Sequence, residues 1–204
     1  MDDTILQAIN TGFNNAKEKT IQKEQKKEIS SQLISSIFVH EVASSIYNIC
    51  FERNGKLKVI GVNDEYEKIS GEWLVDSCIV DYQHGFIKKI TFALESESNT
   101  SKRAFNEDFA KIIHLNAKYK LYLNGTNQKT EKGTYKYINE RLRYAESVLK
   151  GMLVNNLYLA FWPSPRIDAT HENIRSSLWR SFDKYPHLNT IHLYKYTDGK
   201  FVKA

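Results

Sequence analysis

Apolar positions along the chain recur first at helical spacing and then in the alternation of strands. Ile5, Leu6, Ile9 and Phe13 lie on one helical face and predict a helix over residues 4–28. Its second half, Lys17 to Glu28, is dominated by Lys, Glu and Gln, the composition of a solvated helix or a frayed connector. Leu33, Ile34, Ile37, Phe38, Val42, Ile46 and Ile49 form a broader stripe and predict a second helix over 30–50. Glu41 falls inside that stripe. A carboxylate there needs a partner or a cleft, because an unpaired buried charge is costly.

Strand-like patterns follow. Residues 57–63 form a short run closed by a turn at Asn63-Asp64. Residues 72–83 and 86–97 are longer, rich in Val, Ile, Phe and Tyr, and separated by His84-Gly85, a two-residue hairpin link. Phe105, Phe109, Ile112 and Ile113 predict a helix over 102–115. A strand at 118–123 ends at Asn124-Gly125, and a Gly/Asn/Lys-rich loop runs to about Gly133. An amphipathic helix over 134–150 carries Tyr137, Leu142, Ala145, Val148 and Leu149. A strand at 156–162 stops at Pro163-Ser164-Pro165, a helix follows around 170–182, and a last strand covers 189–197. A helix, a meander and then alternating helix and strand imply an α/β fold. Its mixed central β-sheet is flanked by helices on both faces. The 204 residues fit a single domain, 1–204, with residues 1–28 as an N-terminal helical extension.

Composition changes this picture little. Hydrophobic residues at 41% and charged residues at 26% match an ordinary globular chain. Cys50 and Cys78 have no metal-ligand spacing and read as reduced, buried small hydrophobes of a cytoplasmic protein. No apolar run reaches the ~18 residues of a membrane span, and the N-terminus lacks the pattern of a secretory signal, so no membrane partner is expected. The net charge of +5 and pI of about 9.0 mildly suit a polyanionic partner.

The candidate chemistry lies on the hairpin. With His84-Gly85 as a two-residue turn, Gln83 pairs with Phe86, and counting back sets Asp76 opposite Ala93, Leu74 opposite Glu95 and Glu72 opposite Glu97. Side chains alternate faces, so Glu72, Asp76, Glu95 and Glu97 share one face at the end far from the turn. Diagonal neighbours there are about 7–8 Å apart or closer, within reach of one hard cation. Four carboxylates on one face repel one another unless a cation or a raised pKa relieves them. Oxygen donors without paired Cys or His point to Mg²⁺ or Mn²⁺ rather than zinc. The competing reading is a solvated strand face. Against it, Asp76 sits among Leu74, Cys78 and Val80, and Glu95 follows Phe92-Ala93-Leu94. Lys111 on the next helix is placed to reach the acids; alternatively it forms a surface pair with Asp108, three residues earlier.

The residues Gly71-Glu72-Trp73-Leu74-Val75-Asp76 and Leu94-Glu95-Ser96-Glu97 resemble the PD-(D/E)XK nuclease superfamily, the restriction-endonuclease-like fold. Its usual core is a helix, a three-stranded meander, a helix and a fourth strand. The matching segment here is about 33–124. The resemblance implies that Asp76 and Glu95 are metal ligands and that Glu41 matches the acidic residue several members carry on the first core helix. Glu97 stands at the usual lysine position, a departure shared with a minority of restriction enzymes; other members move the lysine to the following helix, where Lys111 stands. It further implies a metal-dependent endonuclease acting on DNA, set in bacterial defence or a mobile element. Glu97 or Lys111 would position the water and Glu41 or Glu72 would assist. A catalytically inactive module binding a protein or nucleic acid stays open, as does a homodimer joined through residues 1–28.

Other signals are weaker. His40 beside Glu41 reads as a capping or packing residue, and His171 and Glu172 as a helix start; His187 and His192 give no metal motif. Lys129 and Lys132 lie on a loop placed to clamp a phosphate backbone or simply to face solvent. Arg141, Arg143, Lys150, Arg166, Arg175, Arg180 and Lys184 make the C-terminal half basic. Trp162, Trp179 and Tyr185 between them are base-stacking candidates, or core.

Overall fold

Among the described residues, a seven-stranded mixed sheet separates two helical layers. The computed structural model describes residues 2–26, 30–51, 57–61, 75–163 and 186–204. The strands are β1 (Leu57–Ile60), β2 (Ser77–Gln83), β3 (Phe86–Glu97), β4 (Ala117–Thr126), β5 (Leu157–Pro163), β6 (His192–Thr197) and β7 (Lys200–Lys203). They lie in the sheet in chain order. β3, β4 and β5 run parallel, and every other neighbouring pair is antiparallel. Parallel neighbours need crossovers, supplied by α3 (Lys102–His114) and α4 (Glu131–Leu149).

Helices α1 (Asp2–Gln25) and α2 (Ser31–Ile46) cover one face of the sheet. Their stripes, among them Ile5, Ile9, Phe13, Ile37, Phe38 and Val42, pack with Ile79, Phe92, Leu94, Leu121 and Leu123. Phe105, Phe109 and Ile112 of α3 and Ile138, Leu142 and Ala145 of α4 pack on the other face against Val80, Ala93, Tyr122, Leu159 and Phe161. Successive residues of β4 thus enter opposite cores, which is why the middle of the sheet reads as unbroken apolar runs. By length and composition the helical stretch Gln32–Phe51 is apolar enough to cross a membrane, but half of it is buried here, as the core helix under α1.

The predicted elements and the observed ones agree in kind up to β5. β1 ends at Ile60 and β2 begins at Ser77, short of the predicted 57–63 and 72–83; of these, residues 62–63, with the turn expected at Asn63-Asp64, and 72–74 lie outside the described residues. Ser30, Ser101 and Thr130 cap α2, α3 and α4 by accepting a backbone N–H three residues on. Thr130 starts α4 at Glu131, three residues before the predicted 134, so the loop is short. Asn124-Gly125, expected to end a strand, lies inside β4. Asn124 is fully buried there, and a Cβ at Gly125 would come within 2.8 Å of the Ser98 carbonyl oxygen. This glycine serves close approach rather than a turn. The last strand begins at His192, after a 3₁₀ turn at Pro186–Leu188. An unpredicted hairpin follows it, where Asp198-Gly199 takes positive φ at both residues. The helix expected around 170–182 lies outside the described residues. Cys78 is buried as expected, and its thiol is pushed up to about 11 by burial; Cys50 is only half-buried.

Candidate functional site

Two bulges decide what the hairpin brings together. Gln83 pairs with Phe86 and Tyr82 with Ile87, as the two-residue turn requires. The ladder then shifts by one residue between Tyr82 and Asp81, and by one more between Val80 and Ile79. Lys88 and Thr91 are the extra residues on β3. A single shift would have turned the acids to opposite faces; two restore the parity. The ladder reaches Ser77 opposite Leu94, not opposite Phe92. Asp76 therefore meets Glu95 rather than the predicted Ala93.

The contacts between them are reciprocal. The Asp76 backbone N–H donates to Glu95 Oε2 at 3.0 Å, and the Ser96 N–H donates to Asp76 Oδ2 at 2.8 Å. Each carboxylate thereby takes a backbone donor at the point where β2 leaves the ladder. Glu95 is only 4% exposed, which rules out the solvated-face reading for this residue, while Asp76 is half-buried. Burial, and then the charge of Asp76, push the Glu95 carboxyl up to about 8, against the pull of Lys111 in the other direction.

Lys111 comes from α3, whose aromatic stripe holds it against the sheet. Its Nζ is 3.1 Å from Glu95 Oε1 and 2.6 Å from Asp108 Oδ1. Lys111 thus pairs with Asp108 and also reaches Glu95, though the Asp108 partner is buried and the pair is not the surface pair of the alternative reading. The hydrogen bond to Asp108 is the main cause that raises its pKa above the ordinary lysine value. Asp108 is buried beneath the helix. Sequence reading saw it only as the helix partner of Lys111. Its position between Phe105 and Phe109 was the available signal that it faces the sheet.

The remaining predicted residues are dispersed. Glu97 follows Glu95 by two on β3 and is half-buried. Its Oε1 accepts the Asn99 N–H in the turn that leads to the Ser101 cap of α3. Its backbone carbonyl accepts from Asn124 Nδ2, while Asn124 Oδ1 accepts from the Tyr137 hydroxyl at 2.7 Å. Glu41 is buried on α2, in the opposite helical layer. Its Oε1 is 2.6 Å from Lys19 Nζ of α1 and 3.9 Å from His40 Nε2. Lys19 supplies the partner that the sequence required of Glu41. His40 also contacts the Ser44 hydroxyl and packs along α2. Glu72 lies outside the described residues.

Among the described residues, no group of three or more His, Cys, Asp or Glu side chains is placed to hold a metal ion, so Glu41 does not join Asp76 and Glu95 in such a set. Trp162 is core, its ring centroid 4.6 Å from that of Phe38. Arg141 folds over the Tyr137 and Phe105 rings and donates to the Thr100 carbonyl. His187 Nε2 lies 3.0 Å from the Gln128 carbonyl oxygen, and His192 is buried beside the Tyr135 ring. Arg166, His171, Glu172, Arg175, Trp179, Arg180, Lys184 and Tyr185 lie outside the described residues.

Comparison with protein-family models, characterised proteins and solved structures finds no match to this chain.

Proposed function

We propose that this protein is a metal-dependent endonuclease that hydrolyses DNA phosphodiester bonds, with Asp76 and Glu95 holding Mg²⁺ or Mn²⁺. One observation carries the reading: two carboxylates from neighbouring strands meet at the end of a ladder, with a lysine from the next helix on one of them. The chain order α2, β1–β3, α3, β4 supports it, being the order of the PD-(D/E)XK core.

The donor set fits such an ion. Its oxygens are hard, and Mg²⁺ commonly takes one or two protein carboxylates, filling its remaining positions with water and substrate phosphate. Burial, and then the charge of Asp76, raise the pKa of Glu95, and a cation beside the two carboxylates would favour its ionised form. Bound there, the ion would supply Lewis-acid polarisation of a phosphoryl oxygen and a water of lowered pKa.

The chain's own groups have separate tasks. Asp76 and Glu95 bind. Lys111, anchored by Asp108, keeps a fixed positive charge beside Glu95, where the phosphate's charge builds up as the bond breaks. Lys111 or Glu97 orients the attacking water. Glu41 is engaged with Lys19 and acts on the packing of α1 and α2 rather than on the phosphate.

A test is plasmid DNA incubated with Mg²⁺ or Mn²⁺ and wild-type protein, Asp76→Ala, Glu95→Ala or Lys111→Ala. Loss of a ligand should reduce the cleavage rate by roughly 100-fold or more, and loss of Lys111 by at least about tenfold. Equal cleavage by all four proteins rejects the assignment.

A second reading is an inactive nuclease-like module. It is favoured by the backbone donors that both carboxylates already accept, which give the pair a structural task without any ion. Calorimetric titration with Mn²⁺ separates the two: heat of binding that Asp76→Ala abolishes supports the enzyme, and none at millimolar ion supports the module.

A further inference from the structure

Among the described residues, the hairpin that carries the acid pair at one end extends past its neighbouring strands at the other. β4 joins β3 only from Ile90 onward, and β1 joins β2 only up to Asp81. Among the described residues, Tyr82–Gln83 and Phe86–Lys89 pair with each other and with no further strand beyond the Asp81–Lys89 rung. Among the described residues the segment is a two-stranded ribbon. At its tip His84 and Gly85 both take positive φ, the tight turn that keeps such a ribbon narrow.

Its side chains are unusual for a solvated turn. Phe86 is 74% exposed, with Tyr82 also at the surface. Phe86 pairs with Gln83 across the ribbon, and Lys88 donates to Gln83 Oε1 at 2.7 Å. On the opposite face the Lys58 ammonium sits 4.6 Å from the Tyr82 ring centroid. The bulge at Lys88 breaks the alternation, so that Lys88 and Lys89 are both exposed. Asp81, on the Gln83 face, has its Oδ1 accepting from Gln83 Nε2.

We propose that this ribbon is a DNA-binding element: Lys58, Lys88 and Lys89 contact phosphates while Phe86 packs against the sugar–base edge of a groove. The complementarity is of shape and charge. A two-stranded ribbon fits the major groove, and exposed lysines around an aromatic ring match a polyanion with apolar base and sugar surfaces. The ribbon's role does not require the acid pair to be catalytic, since the two sit at opposite ends of β3.

The test is fluorescence anisotropy with a labelled 20-base-pair duplex and the full chain, in EDTA so that nothing is cut, over about 50–200 mM salt. Lys88→Gln/Lys89→Gln should weaken binding by roughly tenfold and lower the log–log salt slope by about two, near 0.9 per phosphate contact. Phe86→Ala should weaken it about fivefold and leave the slope unchanged. Lys136→Gln, an exposed lysine on α4, should bind as wild type does. All variants are surface changes, and unchanged melting temperatures confirm that they fold. Overturning results are wild-type protein that does not bind the duplex, as for a ribbon that docks an acidic protein, or ribbon variants that bind with wild-type affinity and slope. Ribbon variants that lose binding, with no cleavage by any protein, would uphold this proposal while rejecting the endonuclease.

Discussion

At the scale of single residues, the chemistry centres on Glu95. It is buried against Asp76, and Lys111 offsets only part of the repulsion. In the folded chain its carboxyl holds a proton up to about pH 8, against an ordinary value of 4.5. Between those values the folded state binds more protons than the unfolded state. The contribution to stability is therefore full below the unfolded value and is lost as pH rises through about 8. Thermal denaturation in EDTA between about pH 5 and 9 should show the wild-type melting temperature falling toward pH 8 relative to Glu95→Gln, whose amide does not titrate. Parallel curves would mean that Glu95 is ionised throughout. The candidate pair itself was legible in the sequence, because acids among core-like strand residues are conspicuous. Asp108 reads in the sequence only as the helix-flank partner of Lys111, although its place between Phe105 and Phe109 puts it on the buried side of α3.

At the scale of elements, close backbone approach explains residues that local propensity does not. Gly12 sits in the middle of α1, where glycine costs about 1 kcal/mol relative to alanine. A Cβ there would lie 2.6 Å from Val42 Cα and 2.7 Å from the Glu41 carbonyl oxygen. Gly12→Ala should therefore destabilise the protein despite its better helix propensity, by roughly 1–3 kcal/mol in urea unfolding, as overpacking does. A gain in stability would show that α1 and α2 move apart at little cost. Gly125 obeys the same rule on β4 against Ser98, which is why Asn124-Gly125 is strand rather than turn. The register of β2 on β3 is likewise an element-scale outcome. Neither Lys88 nor Thr91 announces a bulge, and counting from the turn alone misplaces Asp76 by two residues.

At the scale of the whole molecule, α1 is part of the core and not an appendage. Ile5, Ala8, Ile9, Phe13 and Ala16 are buried with α2 and the sheet. The apolar stripe of α1 is used within the chain. Removing residues 1–25 should expose the faces of Ile37, Phe38 and Val42. The expected outcome is binding of a hydrophobic dye and a lowered melting temperature, rather than only a change of oligomeric state. A truncated chain that melts like the full one would return α1 to the status of an extension.

The sequence by itself determined helices α1 to α4, the long strands, the hairpin turn at His84-Gly85 and the mixed character of the sheet. These depend on periodicity and turn chemistry, which are local properties of a few consecutive residues. Only the tertiary structure decided that Asp76 meets Glu95, that Lys111 bridges Glu95 and Asp108, and that Glu41 pairs with Lys19 on the other side of the sheet. Those outcomes depend on strand register and on which helix covers which face. Both are set by packing between segments far apart in the chain, and no short window of sequence encodes them.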